Sequence, residues 1–271
     1  MPDMFDLPAY LARIGHAGPL RPDLDTLCAL HACHVQSIAF EGMDPLLRRP
    51  VEINLAALQA KLINGRRGGY CFEQNSLFKA ALEQIGFQVT ALTGRVRWMS
   101  EPGSPLGART HMLLKVDLAD GAYLADVGFG ACLLDSPLRL ATDIDQITAM
   151  GSFRLTEADG LYTLAARQPA GYRTMYVFDL TPQLQADFEC GNWYAATNPA
   201  HPFVHVLIME RLAQDRRHKL LNRRLITEAR DGEKLAEREI DSAADLAHVL
   251  DEVFLVTPPV PVDELFARIS G

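Results

Sequence analysis

The sequence has no run of eighteen apolar residues, so we expect no membrane-spanning helix. It has no CxxC pair, and its five cysteines are odd in number and irregularly spaced, which favours reduced thiols over a disulfide framework. Basic residues are too few for a broad nucleic-acid surface, because 26 Lys and Arg against 34 Asp and Glu leave a net charge of −8. The first residues lack the basic and apolar segments of a signal peptide, and we therefore expect a cytoplasmic location.

The overall composition of the chain is that of an ordinary globular protein. The chain has 271 residues, of which 48% are hydrophobic and 22% charged. That is enough for a core that is stable without a metal ion or a disulfide. Cys28, Cys33, His31 and His34 lie close together, but they fall on one predicted helix over residues 25–36, and a tetrahedral site would need further ligands on the same face. We therefore expect small buried thiols here and no metal.

The hydrophobic pattern changes twice and divides the chain into three parts. Up to residue 86 the apolar residues recur at helical spacing, and residues 87–190 alternate with a period of two between Asp-Gly turns, which is typical of a small antiparallel barrel or sandwich. The last part, residues 191–271, carries mixed signals. The pattern predicts an α+β protein with domains 1–86, 87–190 and 191–271.

The individual elements follow from the same pattern. The predicted helices span residues 8–14, 23–35, 55–62 and 71–85, and a further helix begins after a Ser242 cap. The predicted strands span residues 88–98, 112–118, 123–129, 151–155, 162–166, 219–226 and 234–240. Residues 203–212 fit either a strand or a helix.

Cys71 is the cysteine whose surroundings favour chemistry. Gly68 and Gly69 allow the backbone to turn tightly just before the predicted helix begins. The partial positive charge at a helix N-terminus favours a thiolate, which is the nucleophilic form of cysteine. The sequence therefore predicts Cys71 as a nucleophile, with a structural cysteine as the alternative.

A thiolate nucleophile usually works with a base and an orienting carboxylate. His111 opens a predicted strand and could present its imidazole at the strand end, with a pKa suited to a general base. Asp126 lies inside an apolar strand, where a carboxylate is costly without a partner, and the Nδ1–H of a histidine is a natural partner. The alternatives are a structural histidine and an aspartate that fixes a turn.

The hairpin that joins these two residues presents a difficulty. A two-residue turn at positions 120–121 would place Asp126 opposite Lys115, which is four residues, or roughly 13 Å along a strand, from His111. Contact between the imidazole and the carboxylate would then require a wider turn, a bulge or strong coiling of the strands.

Three stretches together resemble the arylamine N-acetyltransferase family. They are RGGYCFEQN at residues 67–75, RTHM at 109–112 and DVGFG at 126–130. The sequence IAFE at 38–41 is similar to the amino-terminal signature of the family, and NWY at 192–194 to a later segment. The resemblance covers nearly the whole chain.

The resemblance implies a fold and a reaction. The fold would be a helical bundle, a β-barrel and an α/β lid around a cysteine-protease-like core. Cys71 would be acetylated by acetyl-CoA, His111 would activate the thiol, and Asp126 would orient His111. The acetyl group would pass to a small aromatic amine or hydrazine, without a metal ion.

The resemblance also assigns residues around the site. The acyl and aromatic-substrate pocket would be lined by Phe40, Tyr70, Phe129 and Phe203, for which core packing is the alternative. The pantetheine and pyrophosphate of CoA would lie near Thr110, Gly128 and Gly130.

Two further features concern the surroundings of the site. By the same matching, Glu41 and Arg67 would form a buried structural pair beside it. The sequence departs from the family at Ala196 and His201, where small hydroxyl residues are common. His201 lies near the expected pocket, so it bears on substrate preference.

Other functions fit the same residues. A cysteine hydrolase or transglutaminase-like enzyme shares the order Cys, His, Asp and would act without CoA. An amide synthase on the same scaffold would use a tethered acyl chain, and a non-catalytic binding protein would not be acylated at Cys71. The sequence carries no signature of the oligomeric state.

Overall fold

The computed structural model describes residues 5–101 and 103–270. Its helices are α1 (Leu7–Ile14), α2 (Leu24–Ser37), α3 (Met43–Leu46), α4 (Leu55–Leu58), α5 (Cys71–Ile85), α6 (Gln185–Thr197), α7 (Ala243–His248) and α8 (Val262–Ser270). Two of them, α4 and α7, continue as π-helical turns over Gln59–Asn64 and Val249–Val253. In the part of the chain that is described, no helix has both the length and the apolar character needed to cross a membrane.

In the described residues, thirteen strands form two antiparallel sheets. The larger sheet, nearly closed into a barrel, has the order β5-β4-β3-β2-β9-β8-β7-β6, and the smaller has the order β1-β10-β11-β12-β13. The strands are β1 (Phe40–Glu41), β2 (Gln88–Val96), β3 (His111–Leu118), β4 (Gly121–Ala125), β5 (Leu138–Arg139), β6 (Asp145–Ile147), β7 (Ser152–Ala158), β8 (Leu161–Gln168), β9 (Gly171–Phe178), β10 (Ile208–Ala213), β11 (Arg216–Leu221), β12 (Arg224–Glu228) and β13 (Lys234–Glu239).

Three buried clusters hold these layers together. In the first, α1, α2 and α5 cover the outer face of the barrel, where Phe78 belongs to the same cluster as Leu114. The second fills the space between the smaller sheet, α3, α7 and α8, and the third fills the barrel, where Leu113 and Phe153 lie. Strand β3 is therefore buried on both faces, and one of these faces looks into the barrel.

Local sequence accounts for the helix that positions the predicted nucleophile. The bounds of α5 are those predicted, and Gly86 adopts the left-handed conformation, with φ of 107°, that ends the helix. The Glu73 carboxylate accepts the backbone N–H of Tyr70 at 3.1 Å and closes the first turn. The predicted cap at Ser242 is confirmed, because its hydroxyl accepts the N–H of Asp245 at 3.2 Å.

The predicted α+β class, with helical, barrel and mixed parts, is confirmed. Most predicted strands match the observed ones to within three residues at each end, and two differ by more. The strand expected over residues 123–129 ends at Ala125, and the one expected over residues 219–226 is broken by a turn at Asn222, whose φ is 51°. Residues 203–212 divide into a 3₁₀ turn, Pro202–Val204, and strand β10. The division into domains at residues 86 and 190 stays a prediction, and β1 pairs across it with β10.

Two histidines of α2 are fully buried in the first cluster. Nδ1 of His34 lies 2.9 Å from the Tyr10 hydroxyl, and Nε2 lies 2.7 Å from Oε1 of the Gln74 side chain. The ring of His31 packs edge-on against Phe78, with 5.8 Å between the ring centroids. Burial lowers the pKa of His31 to about 4 and that of His34 to about 3. Both are therefore neutral in the folded protein at neutral pH.

We expect the free energy of unfolding to decrease as the pH falls from about 6.5 toward 4. The unfolded chain takes up protons at these histidines in this range and the folded protein does not, so each adds a slope of about 1.4 kcal/mol per pH unit. His34→Gln should remove the part of this slope that His34 contributes, and urea unfolding at several pH values between about 4 and 6.5 measures it. His248→Gln, at an exposed position, serves as the control and should leave the slope unchanged. An unchanged slope in His34→Gln would show that His34 is not neutral in the fold.

Candidate active site

Cys71 is the first residue of α5, and its side chain is 3% exposed. Its Sγ donates a hydrogen bond to the Thr110 carbonyl oxygen at 3.5 Å. Gly128 packs directly against it, since a Cβ at Gly128 would lie 2.7 Å from the Cα of Cys71. The start of α5 is thus pressed against the ends of β3 and β4, which brings the thiol next to His111.

The structure places His111 and Asp126 in direct contact inside the barrel. Nε2 of His111 lies 2.7 Å from Oδ2 of Asp126, and both side chains are buried. The prediction that Nδ1 of His111 would bond to the carboxylate was wrong, because Nε2 makes this contact. Cys71 and His111 line the same cavity, and the Cys71 side chain is close enough to this imidazole to contribute to raising its pKa.

The carboxylate of Asp126 accepts further hydrogen bonds. Its Oδ2 accepts the Tyr176 hydroxyl at 2.9 Å, and its Oδ1 accepts the Asn75 amide and the Gly128 N–H, each at 3.0 Å. Burial would raise the pKa of Asp126, but His111 and these donors lower it below its usual range. Asp126 is therefore an ionised, fixed acceptor.

The neighbours of His111 determine the charge of its imidazole. Burial alone would lower the pKa of His111, but the Asp126 carboxylate and the Cys71 thiol outweigh it and raise that pKa to about 10. The imidazole beside Cys71 is therefore positively charged at neutral pH.

The register of the hairpin explains how His111 reaches Asp126. Leu118 pairs with Gly121, so the turn consists of residues 119–120 and lies one residue earlier than the sequence suggested. Gly121, with φ of 140°, allows this tight closure. The register places Asp126 beside Leu113, two residues from His111 and on the same face of the sheet. The contact needs neither a wider turn nor a bulge.

A cavity of about 250 Å³ opens at Cys71 and His111. Its wall contains most of the predicted site residues, namely Phe40, Thr110, Gly128, Phe129, Gly130 and Phe203. It also contains residues that the sequence argument did not assign to it: Val96, Trp98, Met99, Ala131, Pro202 and Ile208. His201, noted only as lying near the pocket, is part of the wall. A larger groove of about 690 Å³ on another face of α5 contains no predicted site residue.

Tyr70 is the predicted pocket residue that does not reach the cavity. Its ring lies behind Phe203, with 5.5 Å between the ring centroids, and its hydroxyl donates to the Asn192 side chain. The residue precedes α5 and points into the core, so the prediction of a wall position was wrong and the alternative of core packing holds.

The two predicted glycines have a structural explanation within the chain. A Cβ at Gly130 would lie 2.1 Å from the ring of Phe40, just as one at Gly128 would meet Cys71. Both positions therefore exclude larger residues whether or not a ligand is bound.

A network of buried charges supports the start of α5. The predicted pair is confirmed, since Arg67 lies 2.7 Å from Glu41. Lys61 lies 2.6 Å from both Asp44 and Glu73, and Arg67 also contacts Asp44 at 3.1 Å. Because Glu73 caps the first turn of α5, the network fixes the backbone that carries Cys71. Among residues 5–101 and 103–270, no three His, Cys, Asp or Glu side chains are grouped so as to hold a metal ion.

Tyr176 and Asn75 are the site residues that the sequence argument left without a role. Tyr176 comes from β9, a strand for which no prediction was made, and Asn75 lies one turn after Cys71 on α5. The placement of Asn75 four residues after the nucleophile was a usable signal, because both side chains then lie on one helix face.

Residues 23–259 match the model of a protein family described as N-acetyltransferase. The chain is 45% identical over 223 residues to the arylamine N-acetyltransferase of Mycolicibacterium smegmatis, covering 81% of each protein. It is 38% identical over 245 residues to that of Escherichia coli (strain K12), covering 90% of this chain and 86% of the relative. The solved structure of the Mycobacterium marinum arylamine N-acetyltransferase in complex with CoA is 36% identical and superposes with a TM-score of 0.92, over 97% of this chain and 98% of that one. This chain belongs to the arylamine N-acetyltransferase family.

Proposed function

We propose that this protein transfers an acetyl group from acetyl-CoA to arylamines and arylhydrazines by double displacement through Cys71. The arrangement that carries the proposal is a thiol at the start of a helix, next to an imidazole that a buried carboxylate holds at 2.7 Å. The names of the relatives and the CoA complex of one of them support the choice of substrates.

The first half of the reaction acylates the enzyme. The Cys71 thiolate attacks the thioester carbonyl, the bond to the sulfur of CoA breaks, and the departing CoA thiolate takes up the proton of the His111 imidazolium. The products are acetyl-Cys71 and free CoA. Asp126 keeps the ring in place and stabilises its charged form throughout.

The second half returns the enzyme to its starting state. The amine nitrogen attacks the acetyl carbonyl of acetyl-Cys71, and neutral His111 takes the proton that the nitrogen loses. The carbon–sulfur bond breaks, which releases the N-acetyl product and restores the thiolate beside the imidazolium.

The size of the cavity favours this reaction over the alternatives. A volume of about 250 Å³ is small for a drug-sized ligand and suits an acetyl group and one aromatic ring. A peptide or a long tethered acyl chain would need a more extended cleft.

Isotope exchange tests the proposed function without an amine. The protein should exchange labelled CoA into acetyl-CoA, because the first half of the reaction is reversible on its own. Initial rates with an arylamine should give the parallel lines of a double displacement. Absence of exchange, together with turnover of peptide or glutamine substrates, would replace this proposal with a hydrolase or transglutaminase activity.

Tyr176→Phe should lower kcat/KM for acetyl transfer about three- to ten-fold, because the buried Asp126 carboxylate loses one of its donors. Steady-state rates measure the effect. Tyr162→Phe is a matched control on the same barrel, where the ring stacks on Phe178. Equal activity of Tyr176→Phe and the wild type would show that this hydrogen bond does not hold the carboxylate in place.

A further inference from the structure

His201 is a polar side chain of the cavity wall to which the proposed reaction gives no role. The other side chains of the wall that can form hydrogen bonds are Cys71, Trp98, Thr110 and His111, and none of the described lining residues is a lysine or an arginine. His201 immediately precedes the 3₁₀ turn Pro202–Val204.

Neighbouring groups fix the tautomer and the position of this ring. Its Nδ1 accepts the backbone N–H of Phe203 in a long hydrogen bond of 3.4 Å, which assigns the ring proton to Nε2. The ring packs on Phe203, with 4.7 Å between centroids, and edge-on to Tyr194 at 6.3 Å. Within residues 5–101 and 103–270, the Nε2–H group has no hydrogen-bond partner.

The imidazole is neutral in the cavity. Burial lowers the pKa of His201 to about 4, and no nearby charge opposes this effect. A neutral N–H donor suits a neutral acceptor, because bringing a neutral oxygen out of water costs less than bringing in a charged group.

Phe203 links this donor to the reacting end of the cavity. Its ring contacts that of His201. It also packs against the rings of Phe40 and Tyr70, with 5.9 Å between the centroids of Phe203 and Phe40 and 5.5 Å between those of Phe203 and Tyr70. Cys71 lines the same cavity as Phe203 and His201. An aromatic amine packed on Phe203 can therefore direct its nitrogen to acetyl-Cys71 and the opposite edge of its ring to His201.

We propose that His201 selects acceptor amines that carry a neutral hydrogen-bond acceptor, such as an ether oxygen, on the ring edge opposite the amine. The inference rests on the proposed function and specifies its substrate class. The Nε2–H of His201 donates to the substituent oxygen.

The test compares two amines of nearly equal shape, 4-methoxyaniline and 4-ethylaniline, which differ by an ether oxygen in place of a methylene. The wild type should show a kcat/KM about three- to ten-fold higher for the methoxy compound, as expected for one neutral hydrogen bond. His201→Leu should reduce this ratio to about one, and His201→Gln, which keeps an N–H donor, should retain most of the preference.

His205→Leu is the matched control, because His205 lies outside the cavity wall and contacts the Pro199 carbonyl at 2.6 Å. It should keep the wild-type ratio. An equal kcat/KM for the two amines in the wild type, or an unchanged ratio in His201→Leu, would overturn the role of His201 while leaving the acetyl transfer intact. If the wild type acetylated neither amine and exchanged no CoA, the proposed function would fail, and this inference with it.

Discussion

Replacing Cys71 with alanine is expected to abolish acetyl transfer, with a loss of about 10⁴-fold or more in kcat. The reaction requires a covalent bond to the sulfur, and no other group of the cavity wall can replace it. His111 is held by Asp126, Thr110 contributes a neutral hydroxyl, and the unprotonated nitrogen of His201 accepts the N–H of Phe203. The fold should persist, since the change removes one atom at a position that Gly128 and the Thr110 carbonyl already enclose. Initial rates and a thermal melt measure both effects.

Cys190→Ala is the matched control for this variant. Cys190 is an exposed free thiol on α6, so its removal tests whether loss of any accessible cysteine reduces activity. We expect wild-type rates. Residual arylamine acetylation by a folded Cys71→Ala protein, beyond the uncatalysed rate, would reject the covalent mechanism.

Asp126→Asn is expected to reduce kcat by roughly 10²- to 10⁴-fold and to destabilise the fold by about 3–5 kcal/mol. Asp126 accepts hydrogen bonds from His111, Tyr176, Asn75 and the Gly128 N–H. An asparagine would direct its own N–H groups at one or more of these donors, and it would remove the buried carboxylate that balances the charged imidazole.

The dependence of this destabilisation on pH follows from the raised pKa of His111. A histidine whose pKa is raised to about 10 in the fold adds stability that is fully present below about 6.5, its value in the unfolded chain, and that is lost as the pH rises toward 10. Without the carboxylate this contribution disappears. The difference in unfolding free energy between the wild type and Asp126→Asn should therefore be largest between about pH 4, the usual pKa of an aspartate, and neutral pH, and it should shrink in alkaline solution.

Urea unfolding and steady-state rates at several pH values measure these effects. Asp117→Asn is the matched control on the same hairpin, where the carboxylate is about half exposed and pairs with Lys115 at the surface. An exposed pair of this kind contributes little, so the control should lose less than about 1 kcal/mol. A stable and fully active Asp126→Asn would remove Asp126 from the mechanism.

Local signals in the sequence were sufficient for the helix that carries the nucleophile. The glycines before Cys71, the apolar spacing along α5 and the cap at Gly86 act within a few residues of one another, and they predicted its bounds. The juxtaposition of His111 and Asp126 was also proposed from the sequence, although the turn between them was placed one residue too late. The Asp-Gly signal at residues 120–121 suits a two-residue turn, but packing of β3 and β4 on both faces selected the neighbouring register.

Contacts between segments that are distant in the sequence could not be predicted from such local signals. Tyr176 reaches Asp126 because β9 pairs with β2, where Val96 lies opposite Tyr176, and no local pattern reports a pairing across that many residues. The two-residue strand β1 exists only because β10 lies beside it. Tyr70 was assigned to the pocket by the family resemblance, yet the direction of its side chain depends on Asn192, which accepts its hydroxyl.

Acetylation of the Cys71 sulfur atom is the central claim of the proposed mechanism, and it can be measured directly. Mixing the protein with acetyl-CoA in the absence of any amine, followed by digestion and mass spectrometry, should show one acetyl group on the peptide that contains Cys71, and an added arylamine should remove it. An unmodified Cys71 peptide from a protein that still acetylates arylamines at the full rate would contradict a covalent acetyl-cysteine intermediate.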